Sequence, residues 1–212
     1  MTENIAGITV PDTALVRDVT EFIREHEDDL LFHHSRRVFF FGALMGEHRG
    51  VDVDRELLYV GAMFHDLGLT ESFSSSQLRF EVDGADAARA FLLERGVDAE
   101  NAAAVWSAIA LHTTPGIPEH MRPEIALVTA GVETDVLGLW YHSLSGQHRD
   151  AVTAAHPRPD FKNRILQSFA QGNLHRPAST FGNVNADVLA HFVPEYQRTD
   201  FVDLIRSSPW PS

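Results

Sequence analysis

The chain is expected to fold as an all-α protein, a compact single-domain helical bundle, and three observations point there. Apolar residues recur at spacings of three and four along successive segments, the pattern of helices with one buried face. Gly and Pro punctuate the ends of those segments, and no run alternates convincingly enough to read as a strand. With 212 residues, 44% of them hydrophobic, the chain can close one sizeable core, whereas a second independent domain would be cramped.

Residues 11–29 read as an amphipathic helix, with Leu15, Val19, Phe22 and Ile23 on one side and Arg17, Asp18, Glu21 and Arg24 elsewhere. Its expected role is packing, which makes residues 1–29 an N-terminal packing segment. Residues 30–49 form a longer helix stopped by Gly50, and His34, Val38, Phe41 and Met45 share its apolar side. Arg36 and Arg37 of that helix read either as cations beside a site or as side chains solvating its outer face. Asp54 caps a helix whose residues 57–64 carry no charge and no alternation, as in a helix buried all round, and which ends on His65-Asp66. Residues 67–82 then turn polar, with Ser74-Ser75-Ser76 in the middle, and read as a lid, a substrate wall or a surface connection.

Residues 83–95 are Ala-rich and helical, with Asp83 at the N-cap and Gly96 as the stop. Asp98 starts a helix over 99–113, where Val105, Ala108, Ile109 and His112 share a face, and Thr113-Thr114-Pro115-Gly116 ends it. Pro123 suits the first turn of a helix running to about residue 141, with Val128, Gly131, Val132, Asp135 and Leu139 in line. Residues 30–142 are thus the expected helical core. Residues 143–212 are a helical or irregular extension packed on the same domain, with helices expected at 147–155, 160–171, 185–192 and 200–207. The Pro-, Gly- and Asn-rich stretch 172–183 wraps over the core or over the site.

A formal net charge of −13 argues against nucleic-acid polymers and anionic membrane surfaces, since both need a basic face. No apolar run approaches the roughly 20 residues of a membrane span, and residues 1–10 do not resemble a signal peptide. The absence of cysteine rules out a disulfide framework and fits a reducing compartment. The expectation is a cytoplasmic protein with a small-molecule substrate, a homo-oligomer being left open. Of twelve histidines, His48, His120, His148 and His156 lie among charges or prolines and read as solvated.

A His and an Asp closing an apolar helix lose their water, and a buried carboxylate is costly unless something positive meets it. Imidazole and carboxylate suit zinc, iron or manganese, and thiolate sites are excluded. The bland alternative is a helix C-cap in which His65 bonds a carbonyl and Asp66 caps the next segment. His34 and His112 each read alone as satisfied core histidines. Together, His34, His65, Asp66, His112 and Asp135 come from inner faces of four expected helices. Burying them separately needs five hydrogen-bonding solutions, whereas one shared cation satisfies most of them at once.

The order His34, His65-Asp66, Asp135 resembles the metal-binding signature of the HD-domain superfamily of metal-dependent hydrolases, over residues 32–139. Within it, Phe32-His33-His34-Ser35-Arg36-Arg37-Val38, Phe64-His65-Asp66-Leu67-Gly68-Leu69-Thr70 and Ala110-Leu111-His112-Thr113 look like the cyanamide-hydratase-like branch. That resemblance implies an all-helical enzyme that uses a bound metal to hydrate a small nitrile-like substrate; many relatives hydrolyse phosphate esters instead. It implies His34, His65, Asp66 and Asp135 as ligands, and His112 as a further histidine near the metal. Two-metal members carry two additional histidines before the final aspartate, and only His112 holds a comparable place here. One divalent metal is therefore expected, zinc ahead of iron or manganese.

Such a metal activates water, and Asp66, His112, Glu81 or Asp83 could transfer the proton, with Thr113 orienting the substrate. The alternative is a phosphohydrolase acting on a nucleotide or other phosphomonoester, with Arg79 or Arg37 holding the phosphate. The scarcity of cations, Lys162 being the only lysine, favours a neutral substrate. A metal-stabilised binding module without turnover is a third reading.

Overall fold

The computed structural model describes residues 3–74 and 77–210; Ser75 and Ser76 of the expected polar loop lie outside the described residues. The Asp28 carboxylate accepts from the Leu31 N–H at 2.9 Å, and Gly50 closes the other end in the left-handed conformation, φ 64°. Between these caps α2 (Asp29–Arg49) runs unbroken, and from Leu30 to Gly46 only His33 is not buried. It is the spine of the molecule. Helices α3 (Arg55–Phe64) and α6 (Pro123–Val132) pack along it, and α1 (Ala14–His26), α4 (Phe80–Glu94) and α5 (Ala99–Leu111) complete the core.

Two glycines set the distance between α2 and α6. A Cβ on Gly131 would stand 2.2 Å from the Val38 carbonyl oxygen, and one on Gly42 would stand 2.5 Å from that of Leu127. Only glycine fits so close an approach, which brings the end of α6 alongside His34. Helices α7 (Gly146–Ala155), α8 (Phe161–Asn173), α9 (Asn185–Phe192) and α10 (Phe201–Arg206) follow. Phe161 and Ile165 of α8 pack on Leu30 and Leu31, so α8 covers the start of α2.

Several boundaries differ from expectation for identifiable reasons. The first helix starts at Ala14 because the Thr13 hydroxyl accepts from the Val16 N–H. Helix α4 begins at Phe80, so Asp83 lies in its first turn rather than at the N-cap. The helix expected to reach residue 141 ends at Val132, widens into one π turn (Glu133–Leu137) and is stopped by Gly138 at φ 68°. Leu139 and Tyr141 are consequently exposed. A two-residue antiparallel pair, β1 (Asn4–Ile5) with β2 (Ile8–Thr9), turns through Ala6 and Gly7; it is too short to register as alternation. Stretch 172–183 is not wholly irregular but contains the tight turn Pro177–Thr180.

Candidate metal centre

Three histidines reach one point from three helices. His34 projects from the buried middle of α2, while His65 and His112 stand at the C-terminal ends of α3 and α5. Each ring uses its Nδ1–H on a neighbour at 2.7 Å: His65 donates to the Ala62 carbonyl, His112 to the Ile109 carbonyl and His34 to Asp135 Oδ2. Spending Nδ1–H outward fixes the tautomer and leaves each Nε2 as a lone pair facing in. Helix ends suit this role because their last carbonyls have no intrahelical donor.

The inward lone pairs meet one another. His34 Nε2 and His65 Nε2 are 3.2 Å apart, and Asp66 Oδ2 lies 3.3 Å from the His65 nitrogen and 3.5 Å from that of His34. His112 Nε2 is 3.6 Å from Asp66 Oδ1, too long for a hydrogen bond. Both Asp66 oxygens and His112 Nε2 are buried, without a hydrogen-bond partner among the described residues. Acceptors facing acceptors repel unless a cation or proton stands between them. Donors about 2.1 Å from a tetrahedral cation stand roughly 3.4 Å apart, matching these separations. His34, His65 and Asp66 all offer ligand atoms within 4.8 Å of one another, so the donor set fits a divalent metal.

The charge state fits as well. Burial alone would raise the Asp66 carboxyl, but the imidazoles around it, His65 first, hold it well below the usual carboxylate range. Burial pushes His34 down against the pull of Asp135, keeping that ring neutral and able to ligate. For His112 burial works downward too, yet the nearby Asp66 outweighs it and the ring is lifted above its ordinary value.

The structure places Asp135 elsewhere than among the implied ligands. Its Oδ2 accepts from His34 Nδ1, and Arg37 binds both of its oxygens at 2.9 Å, while Arg158 stands 3.0 Å from Oδ1. Burial would raise Asp135, but His34 and Arg37 hold it far below the usual range. It therefore sits behind His34, orienting the ring, because the π turn re-aims it toward the two arginines. Arg37 is correspondingly turned away from a substrate: it is fully buried, and its NH1 donates to the carbonyls of His156 and Pro157. Arg36 is also buried rather than solvating an outer face, and His156 is buried rather than solvated.

Of the expected proton-transfer residues, Glu81 is wholly buried beside the site. Its Oε1 accepts from the Thr113 hydroxyl and from the Asn183 amide at 2.9 Å, and its Oε2 has no partner among the described residues. Asn183 also donates to the Thr113 oxygen at 2.7 Å, and Asn185 donates to Glu81 at 3.3 Å. Sequence reasoning missed both asparagines; the Asn-rich stretch 183–185 was their only signal, and it lies against the site. Asp83 is paired with buried Arg176, a structural contact that holds the 172–183 segment down. Arg79 precedes α4 and donates to the Phe181 carbonyl at 3.0 Å, away from the ligand atoms.

A cavity of about 140 Å³ opens on His34, His65, Asp66, His112 and Thr113, with walls from Val132, Val136, Leu137 and Phe169. Among its described lining residues there is no Arg or Lys. It falls below the roughly 300–1,000 Å³ of sites that hold drug-sized ligands. A comparison with curated proteins found no match. Family models gave one finding: residues 31–139, just over half of the chain, match the HD domain, whose members are generally metal-dependent hydrolases. Helices α3 to α6, nearly all of α2, the His-Asp pair closing α3 and the inward Nε2 atoms lie within that span, and the chain belongs to the HD-domain family.

Proposed function

We propose that the protein is a metal-dependent hydratase that adds water to a small, neutral, nitrile-like molecule, the cyanamide type being the nearest chemistry. One observation supports this reading above others: the chamber beside His34, His65 and Asp66 is small and apolar, with no cationic clamp among the described residues. A phosphate ester would enter against Asp66 and Glu133 with no guanidinium to meet it.

His34, His65 and Asp66 through Oδ2 would hold one divalent ion, zinc by the donor set, with His112 beside it. Bound there, such an ion supplies an acidified water and polarises a substrate atom. Asp66 Oδ1 and His112 Nε2, 3.6 Å apart, form the acceptor that takes the water's proton. As the hydroxyl oxygen would bond to the nitrile carbon, one C–N π bond would give its electrons to nitrogen, which would take up the proton held by Asp66 and His112; the same pair would then carry the added hydroxyl's proton to nitrogen, giving the amide and returning both groups to their starting state. The Thr113 hydroxyl, which donates to Glu81 and accepts from Asn183, is held in register to orient the substrate, and Asn183 donates to Glu81 as well. The apolar walls exclude competing water.

Parallel assays on zinc-loaded protein test the reading: hydration of cyanamide and simple nitriles, and phosphate release from a nucleotide panel. Hydration lost in Asp66→Ala and slowed in Thr113→Val is the expected result. Phosphate release that depends on Asp66, without hydration of any nitrile, would replace it with the phosphohydrolase reading.

A further inference from the structure

A second cavity, about 670 Å³, lies on the other side of α2, between the β1–β2 hairpin, α1 and α2. Its volume is within the roughly 300–1,000 Å³ range of ligand sites. Val10, Pro11, Val16 and Phe32 give it an apolar wall, and Arg36 together with His156 forms its polar end.

Arg36 is only 3% exposed, and a cation so buried needs an anion. Its NH1 donates to the Tyr59 hydroxyl at 2.5 Å, and its NH2 pairs with Glu3 Oε2 at 2.5 Å. Glu3 thus supplies the negative charge, yet its side chain is 45% exposed and comes from the start of the hairpin. The other cations of the cavity are engaged elsewhere: Arg17 pairs with Asp12, and Arg24 lies over the Phe32 ring at 3.5 Å and pairs with Asp29. Tyr59 is tied in turn to Thr20 at 2.6 Å, so the floor under Arg36 is pinned between helices, whereas its counterion is carried by the hairpin, where the Val10 N–H donates to the Glu3 carbonyl.

We infer that this cavity is a binding site for a small organic carboxylate with an apolar body, and that Glu3 is an internal occupant which such a ligand displaces. The charge count selects the ligand class. Arg36 is balanced by a single carboxylate, so one negative charge can replace Glu3, whereas a dianionic phosphate would add a charge beside Asp12 and Glu21. The apolar wall receives the body of the ligand, and a neutral amide of the same shape cannot compensate the guanidinium.

An internal competitor lowers apparent affinity by the fraction of time it vacates the site. Benzoate titration, with benzamide as the neutral control, therefore tests the inference by calorimetry and by the NMR signals of the His156 ring. Glu3→Ala is expected to bind benzoate about tenfold more tightly than the unaltered protein, with the His156 signals moving and benzamide inert. Arg36→Gln abolishes that binding. Because Arg36 is buried and its loss could disturb folding, the rim variant Arg17→Glu in the Glu3→Ala background provides a second test; it weakens benzoate binding severalfold. Equal affinity in Glu3→Ala and the unaltered protein, or benzamide binding as well as benzoate, overturns the site. Nitrile hydration by Glu3→Ala is expected to be unchanged, which separates this site from the metal chamber.

Discussion

Helix α2 carries ionisable residues buried toward two different cavities, and the contrast shows how each cavity is built. His34 faces the metal chamber, where every partner comes from the packed core: the carbonyls of Ala62 and Ile109 fix His65 and His112, and Asp135 fixes His34. Two positions further on, Arg36 faces the larger cavity and takes its anion from Glu3 at the edge of the fold. Core partners make a site that is oriented before any ligand arrives. A tethered partner makes one that can exchange.

The largest effect separating the two sides is expected on removing the chamber's anion. Asp66→Ala deletes one ligand and leaves three lone-pair nitrogens without it, so hydration should fall by about 10³-fold or more while benzoate binding persists. Next in size is Asp135→Asn. It leaves Arg37 buried without its counterion, a loss of about 3–5 kcal/mol in stability. It also slackens His34, so metal affinity measured by competition with a chelator should drop about 10–100-fold. Gly131→Ala drives a methyl group into the Val38 carbonyl and should cost about 1–3 kcal/mol by denaturant unfolding.

The smallest effect concerns the tether. The His156 ring, 3.7 Å from its Oε1, together with Arg36, outweighs burial and lowers the Glu3 carboxyl from 4.5 to about 2. A lowered carboxyl adds stability that is present above the unfolded value and is lost as pH falls through the folded one. Hairpin docking should accordingly weaken between pH 4.5 and about 2, read by exchange of the Val10 N–H, which donates to the Glu3 carbonyl.

The helical framework was legible because its signals are local. Apolar spacing, caps and stops lie within a turn of the boundaries they set, and α9 (Asn185–Phe192) coincides with its expected span. His34, His65, Asp66 and His112 were legible for the same reason, each lying on or closing an apolar stripe. The pairing of Arg37 with Asp135 was not legible because it spans 98 residues and nothing in either neighbourhood announces it. His156 looked solvated among prolines, yet Arg36 and Glu3 close over it. The π turn at Glu133–Leu137 has no periodicity of its own; only Gly138 marks where the helix stops.

Metal content paired with thermal melting tests most directly whether His34, His65 and Asp66 converge on one cation. Purified protein dialysed against zinc should carry one equivalent per chain. Chelation should lower Tm by about 10 °C, because a ligand present at about a thousand times its Kd contributes about 4 kcal/mol. Asp66→Ala should carry no zinc and show no shift on chelation. Protein that takes up no divalent ion and melts at the same temperature with and without chelator would contradict the metal centre.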